Sequence, residues 1–127
     1  MSLAILSLLH DETTLTGSKA YGLDKPNDED RFCDSITYDA LKQALKAENV
    51  RTSRGGSFGE AIKFHINGVE YNVFMVDSRE IANLSMVTEI VTLFCQTYKI
   101  AAKNKALRVA LFEQLRSTLK LWKESNK

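Results

Sequence analysis

The sequence predicts an α+β fold, with a small mixed β-sheet and helices packed on one side. Two short β-rich segments lie between a short amino-terminal helix and an amphipathic helix, a strong hairpin signal follows near the middle, and two apolar stripes at helical spacing complete the chain. The predicted order is therefore helix, strand, strand, helix, hairpin, helix, helix.

The first half of the chain supplies the elements before the hairpin. Leucines near the amino terminus favour a short helix. Residues 13–16, Thr-Thr-Leu-Thr, are typical of a buried strand and run directly into a Gly-Ser pair. A loop is expected at 20–27 and a second strand at 30–36, and the helix after them is expected to end near Asn49.

The second half opens with a polar, glycine-rich segment, 51–56, that predicts a loop. Asn67-Gly68 lies between two β-rich runs and predicts a two-residue type I′ hairpin. Residues 77–80, Asp-Ser-Arg-Glu, form a candidate capping box that would open a long helix. The apolar stripes of the last two helices are Leu84, Val87, Ile90, Val91 and Phe94, then Leu107, Ala110, Leu111, Leu115, Leu119 and Trp122.

Length and composition narrow the class of protein. A chain of 127 residues predicts one domain, 1–127, and 44% hydrophobic residues are enough for a core. A formal charge of +1 excludes binding to nucleic acid through bulk basic charge. Cys33 and Cys95 are expected to be free thiols, and the short apolar start has no basic region, so a cytoplasmic protein with no membrane segment is predicted.

The charge is unevenly distributed along the chain. Residues 98–127 carry a net charge of +6, so the first 97 residues sum to −5. On the last helix, Arg116, Lys120 and Lys123 recur at near-helical spacing. This basic face is either a plain solvated surface, the more common case, or a surface that grips an acceptor protein or nucleic acid.

The motif that carries chemistry runs from Gly17 to Asp30. Gly17-Ser18 ends a β-rich segment, and after nine intervening residues Asp28-Glu29-Asp30 begins a strand-like run. Side chains two apart on a strand point the same way, so Asp28 and Asp30 would present both carboxylates to one point, a site for Mg²⁺. Gly17, without a Cβ, and the Ser18 hydroxyl would offer donors to a phosphate oxygen.

On these residues the chain resembles the minimal nucleotidyltransferases of the DNA polymerase β superfamily, in a branch common in bacteria and their phages. The signature is the Gly-Ser pair, the loop 20–26 that reads Ala-Tyr-Gly-Leu-Asp-Lys-Pro, and the Asp-x-Asp pair. Weaker similarity extends to 71–76, 87–89 and 108–112, which would cover nearly the whole chain. Only the first motif is specific.

The resemblance implies a Mg²⁺-dependent transfer of a nucleoside monophosphate from a nucleoside triphosphate to an acceptor hydroxyl. Ser18 and neighbouring amides would hold the β and γ phosphates. Asp28 and Asp30 would hold two Mg²⁺ ions, while the acceptor hydroxyl attacks the α-phosphorus and pyrophosphate leaves. Paired metal ions suit this reaction because they stabilise both the entering and the leaving oxygen.

The chain departs from the family pattern at its third carboxylate. Alignment of the second hairpin strand puts that position at Asn72, whose amide oxygen can ligate Mg²⁺ but adds no negative charge. Glu70, two residues earlier on the same strand face, is the substitute if the register differs by one pair. Glu29, where the family usually has an apolar or small residue, is a milder departure.

Two functions are therefore open. One is an active nucleotidyltransferase that uses Asp28, Asp30 and Asn72, and the other is a catalytically inactive binding module of the same fold, such as a phage-type interaction or inhibitor protein. Glu70 near the acidic pair would favour the enzyme. Neither His10 nor His65 lies beside a serine or cysteine in sequence, so nucleophilic hydrolysis has little support.

Overall fold

The computed structural model of the protein describes residues 3–22, 27–54, 60–98 and 104–125. The helices are α1 (Leu3–Glu12), α2 (Gly17–Ala20), α3 (Ser35–Ala47), a 3-10 turn (Ser78–Glu80), α4 (Ile81–Thr97) and α5 (Lys105–Ser125). The strands are β1 (Thr14–Thr16), β2 (Asp28–Cys33), β3 (Thr52–Arg54), β4 (Glu60–Ile66) and β5 (Val69–Met75). The predicted α+β class with a small mixed sheet is confirmed.

The described strands form one sheet in the order β1-β2-β5-β4-β3. The central neighbours β2 and β5 are parallel, and the other pairs are antiparallel. Parallel neighbours need a crossover connection, and α3 with the strands β3 and β4 supplies it. Because β2 lies between β1 and β5, its side chains face neighbours on both strands.

The predicted hairpin is confirmed at β4 and β5. Asn67 and Gly68 have φ angles of 51° and 80°, and positive φ at both central positions is the signature of a type I′ turn. The expected loop at 51–56 is wrong in its first part, because β3 pairs along the edge of β4. The remaining residues of that loop, and Phe58 of the β-rich run, lie outside the described ranges.

Helices lie against both faces of the sheet, which corrects the prediction that they pack on one side. Cys33 and Phe32 are consecutive on β2 and point to opposite faces. Cys33 packs in an apolar cluster with α1 and α3, and Phe32 packs in a second cluster with α4 and α5. Helical spacing in the sequence shows which side of a helix is buried, but not the sheet face it covers.

The helix α3 follows its sequence signals closely. The Asp34 side chain caps it by accepting a hydrogen bond of 2.9 Å from the Thr37 amide. Tyr38, Leu41 and Leu45 form its buried stripe. Its carboxyl end agrees with the prediction of an end near Asn49.

The predicted stripe of α5 is confirmed in part, because Leu111, Leu115 and Leu119 pack against the second cluster. Arg108 and Phe112 are the buried residues of this helix, while Leu107 and Trp122 are 48% and 61% exposed. Hydrophobic periodicity does not register a buried arginine, so it did not predict that Arg108 belongs to the buried face of this helix. In the described part of the chain, the structure contains no helix that is long and apolar enough to span a bilayer.

Candidate functional site

The strand β2 presents its acidic residues to two different faces of the sheet. Asp28 and Asp30 point to the face that also carries Phe32, whereas Glu29 and Arg31 are buried on the other. The structure therefore brings the two carboxylates of the Asp-x-Asp motif to one side. Their charges interact, since Asp28 raises the pKa of Asp30.

Gly17 lies directly against Asp30, because β1 pairs with β2 and the register sets Thr16 opposite Asp30. The backbone of Gly17 has φ +72°, and a Cβ added there would overlap the Asp30 carboxylate and lie 3.0 Å from its Cβ. Only glycine allows this approach at low cost. The Gly-Ser turn and Asp30 are therefore neighbours in the fold, although they are distant in sequence.

The turn itself is a short helix, α2, held from the opposite side by α4. The Thr16 and Thr88 hydroxyl oxygens lie 2.9 Å apart in a buried hydrogen bond. The Thr92 hydroxyl is within 3.4 Å of the Ala20 carbonyl oxygen, to which it donates. These contacts fix both ends of the segment that carries Gly17 and Ser18. The residues Leu23 to Pro26 of the family-like loop lie outside the described ranges.

Asn72, to which the sequence analysis assigned the position of the third carboxylate, lies beside Asp30. It pairs with Asp30 in the parallel register, and its Nδ2 donates a hydrogen bond of 3.1 Å to Asp30 Oδ1. Glu70 pairs with Asp28 in the same register. Its charge also raises the pKa of Asp30, so a third carboxylate does lie near the acidic pair.

Burial is the main influence on the Asp30 carboxyl and raises its pKa above the ordinary value of 3.8. The hydrogen bond from Asn72 opposes that shift, and the Asp28 charge adds to it. Lys105, on α5, lowers the pKa of Asp30 by its positive charge. Asp30 is thus a partly buried carboxylate whose charge would be stabilised by a cation.

Sequence reasoning missed two basic residues that α5 brings to this site. Arg108 is 5% exposed, and its Nη1 donates a hydrogen bond of 2.9 Å to the Ser18 hydroxyl oxygen. Lys105, one turn earlier, lines the same pocket. The net charge of +6 in the last thirty residues was the available signal, but it could not single out these two positions.

The basic residues that the sequence singled out on α5 are not at the pocket. Arg116 Nη2 lies 3.2 Å from Glu80 Oε2 and joins α5 to the 3-10 turn before α4. Lys120 and Lys123 are exposed. Of the two acids in the predicted capping box, Glu80 thus pairs with Arg116. The Asp77 carboxylate caps the turn by accepting a hydrogen bond from the Arg79 amide.

The pocket between the Gly-Ser turn, Asp30 and α5 has a volume of about 150 Å³. Phe74 and Phe112 line its apolar part, and Ser18 and Arg108 its polar part. Sites for whole drug-sized ligands are typically about 300–1,000 Å³, so this one suits a phosphate-sized group rather than an entire nucleotide. Tyr21 also lines it, and burial raises the pKa of this phenol to about 12.

On the opposite face, Glu29 anchors the same turn. Its carboxylate lies 2.7 Å from Lys19 Nζ and 2.9 Å from Arg31 Nε. Burial would raise the pKa of Glu29, but the hydrogen bonds from Lys19 and Arg31 outweigh it and the pKa is lowered. Arg31 also donates to the carbonyl oxygen of Leu9. Glu29, which stands where the family usually has an apolar or small residue, is thus paired with two basic side chains.

The described side chains at this site are too few to bind a metal ion without other ligands. Among residues 3–22, 27–54, 60–98 and 104–125, no three His, Cys, Asp or Glu side chains are grouped closely enough to bind one. Asp28 and Asp30 nevertheless supply oxygen donors on one side of the sheet. A divalent ion there would need further oxygens, from Asn72, water or a bound phosphate.

Comparisons with protein-family models, with curated proteins and with solved structures find no match to this chain. The nucleotidyltransferase resemblance therefore rests on the motif residues named above and remains a prediction.

Proposed function

We propose that the protein binds a nucleoside triphosphate with Mg²⁺ and transfers its nucleoside monophosphate to an acceptor hydroxyl. The observation that carries this proposal is the close approach of Gly17 to Asp30. It sets a hydroxyl and a buried guanidinium, those of Ser18 and Arg108, in one pocket with the Asp30 carboxylate. This combination of phosphate donors and acidic oxygens suits a metal-bound triphosphate.

The transfer is a balanced exchange of one phosphorus–oxygen bond for another. The acceptor oxygen forms a bond to the α-phosphorus while the bond to the bridging oxygen breaks. Pyrophosphate leaves with the electron pair of that bond, and the hydroxyl proton passes to solvent. Ser18 would donate to a terminal phosphate oxygen, and Arg108 and Lys105 would balance its charge.

The residues present supply part of the coordination shell of one divalent ion, and phosphate or water oxygens would complete it. Asp28 and Asp30 would hold it, with the Asn72 amide oxygen as a neutral ligand. Mg²⁺ supplies charge neutralisation at the phosphates and lowers the pKa of a bound hydroxyl. The second ion implied by the family resemblance would need Glu70. We place this activity in the cytoplasm, since the thiols of Cys33 and Cys95 are buried and unpaired.

One observation favours the second candidate, an inactive binding module of the same fold. Asn72 occupies the position of the third carboxylate and donates to Asp30 through its amide nitrogen. Glu70, the nearest substitute, is already within 3.6 Å of Lys63 Nζ. Such a module would act by binding a partner macromolecule, without transferring a nucleotide.

Isothermal titration calorimetry with a non-hydrolysable nucleoside triphosphate and Mg²⁺ tests the binding step. We expect wild type to bind, and both Asp30→Asn and Arg108→Gln to weaken binding at least about tenfold, because each removes a charge-assisted contact. Asp39→Asn, an exposed acid on α3, and Arg116→Gln, two turns further along α5, are the matched controls and should bind as wild type does.

A coupled assay for pyrophosphate release then separates the two candidates. Release by wild type in the presence of an acceptor, and its loss in Asp30→Asn, supports the enzyme. Nucleotide binding without any release supports the binding module. If wild type binds no nucleotide in the calorimeter, the enzyme is ruled out.

A further inference from the structure

The helix α4 carries apolar side chains on two of its sides, and the fold buries only one of them. The buried side packs towards the sheet in the second apolar cluster, with Leu84, Val87 and Val91. A second stripe at helical spacing lies on the outer side, exposed or half-buried, and consists of Met86, Ile90, Leu93 and Phe94. Leu93 is 62% exposed and Phe94 is 38% exposed. A helix that is apolar all round is normally buried all round.

The outer side of α4 is also almost free of charge. Glu89 is the only charged residue among the 17 of this helix, and it lies at the border of the stripe that is next to Leu15 of β1. A helix at the surface of a protein in water normally has charged or polar residues on its solvent side. In a chain with 26% charged residues, an outer side of this kind indicates a surface that another molecule covers.

The neighbouring helix α5 is divided in the same way. Lys105, Arg108 and Glu113 lie on the side that borders the pocket. The opposite side is exposed and carries no charge, and its residues are Leu107, Ala110, Gln114, Ser117, Thr118 and Leu121. Because α4 and α5 pack side by side on the second sheet face, their uncharged outer sides adjoin. We call these two adjoining stripes the neutral face.

The size of the neutral face suits a small but specific protein interface. At about 1.5 Å per residue, α4 is about 25 Å long, and two packed helices are about 20 Å wide. The face therefore covers roughly 500 Å², and two such faces in contact would bury about 1,000 Å². Specific interfaces begin near that total area, and their centres are depleted of charged residues.

The charge of the protein favours a second copy of this chain as the molecule that covers the neutral face. The net charge is only +1, so two copies repel each other weakly. The charge is also separated along the chain, with −5 in residues 1–97 and +6 in residues 98–127. When α4 of one copy packs on α5 of the other, the acidic border at Glu89 meets a basic helix, and the two surfaces are complementary in charge.

Pairing of α4 with α4 of the second copy is less favourable. Glu89 is the middle residue of α4, so an antiparallel α4 pair related by a two-fold axis would bring both Glu89 carboxylates close together. Pairing of α4 with α5 avoids this repulsion and places four helices in one bundle.

We propose that the neutral face is the interface of a homodimer, in which α4 of each copy packs on α5 of the other across a two-fold axis. The same residues of both copies form such an interface. The pocket lies on the other side of α5, so each copy keeps its own site accessible. With so small a buried area, we expect a dissociation constant on the order of 10 µM.

Sedimentation equilibrium of the full chain between about 1 and 200 µM tests this proposal. We expect wild type to change from the mass of one chain to the mass of two across this range. Leu93→Glu and, separately, Leu121→Glu should each raise the dissociation constant at least about tenfold, because each places two carboxylates in an uncharged interface. Ile36→Glu is the matched control, since Ile36 is 80% exposed on α3, at the opposite sheet face, and should leave dimerisation unchanged. Far-UV circular dichroism checks that each variant is folded.

Each outcome decides for or against the dimer. A wild type that stays monomeric up to about 200 µM, or a folded variant at Leu93 or Leu121 that dimerises as tightly as wild type, would overturn the proposal. In the first case, cosedimentation of the monomer with phosphatidylcholine vesicles would assign the neutral face to a lipid surface instead. A dimer weakened by both of these variants and not by Ile36→Glu supports the proposal, whatever the nucleotide titration shows.

Discussion

Glu29 and Asp30 are consecutive acids with opposite electrostatic environments. Glu29 faces Lys19 and Arg31, and its pKa is lowered despite burial, whereas burial raises the pKa of Asp30. The difference arises from strand geometry, because adjacent side chains point to opposite faces of the sheet. On one face of β2 the carboxylate is paired with basic side chains of the protein. On the other face the carboxylate of Asp30 would be stabilised by a bound cation.

This contrast predicts opposite pH dependences of stability. Folded Asp30 retains a proton that the unfolded chain loses near pH 3.8, so the free energy of unfolding falls as pH rises through the window between 3.8 and the raised pKa. Asp30→Asn should therefore be more stable than wild type at pH 7, and the difference should vanish below that window. Urea unfolding from pH 3 to pH 8 measures it.

Glu29→Gln provides the opposite case in the same titration. The lowered pKa of Glu29 contributes stability above its ordinary value of 4.5, and this contribution is lost as pH falls through the lowered pKa. The variant should be less stable than wild type at pH 7 and approach it in acid. A stabilising Glu29→Gln, or a destabilising Asp30→Asn at pH 7, contradicts the environments described for β2.

The close contact between Gly17 and Asp30 can be tested by substitution of the glycine. Gly17→Ala should cost about 2–4 kcal/mol of unfolding free energy, from left-handed backbone strain and overlap with the Asp30 carboxylate. Gly68→Ala is the matched control, because Gly68 has φ +80° but an added Cβ meets no atom within 4 Å. It should cost only about 1 kcal/mol. Equal losses would mean that Gly17 is not in close contact with Asp30.

The short helix α2 is held in position by charged side chains. Glu29 ties Lys19 of this helix to β2, and Arg31 joins both to the end of α1 through the Leu9 carbonyl oxygen. Removing one partner of a buried ion pair leaves the other uncompensated. These ion pairs therefore hold the Gly-Ser turn from the sheet face that carries Glu29.

Loss of these ion pairs should lower the free energy of unfolding by a large amount for a single substitution. Arg31→Met should lower the free energy of unfolding by about 3–5 kcal/mol, since it leaves Glu29 buried with Lys19 alone and removes the bond to Leu9. Lys42→Gln breaks a pair in which the lysine is half exposed, at 3.7 Å from Glu60, and should cost less than about 1 kcal/mol. Chemical denaturation of both variants at pH 7 decides whether the buried pairs carry that energy.

Local signals in the sequence predicted the elements better than their placement. Asn67-Gly68 encodes its own turn, and α3 has both a capping aspartate and a regular apolar stripe, so both were predictable. The burial of Arg108 on α5 was not, because its partner Ser18 lies ninety residues away in sequence. Edge strand β3 is polar throughout and lacks a hydrophobic pattern, so only its pairing with β4 defines it.

At the scale of the whole molecule, one sheet separates two apolar clusters and positions the candidate site on one of its faces. α1 and α3 cover the first face, and α4 and α5 cover part of the second. The Asp-x-Asp pair and the Gly-Ser turn were predictable because strand periodicity and glycine chemistry are local. Their basic partners were not, because α5 reaches them only through tertiary packing.

The most direct measurement is a crystal structure of the protein with Mn²⁺ and a non-hydrolysable nucleoside triphosphate, with the metal located by anomalous scattering. The account predicts an Mn²⁺ peak at about 2.0–2.4 Å from carboxylate oxygens of Asp28 and Asp30, with phosphate oxygens bonded to Ser18 and Arg108. A fully occupied triphosphate that binds elsewhere, or Mn²⁺ that does not contact Asp30 at saturating concentration, would contradict it.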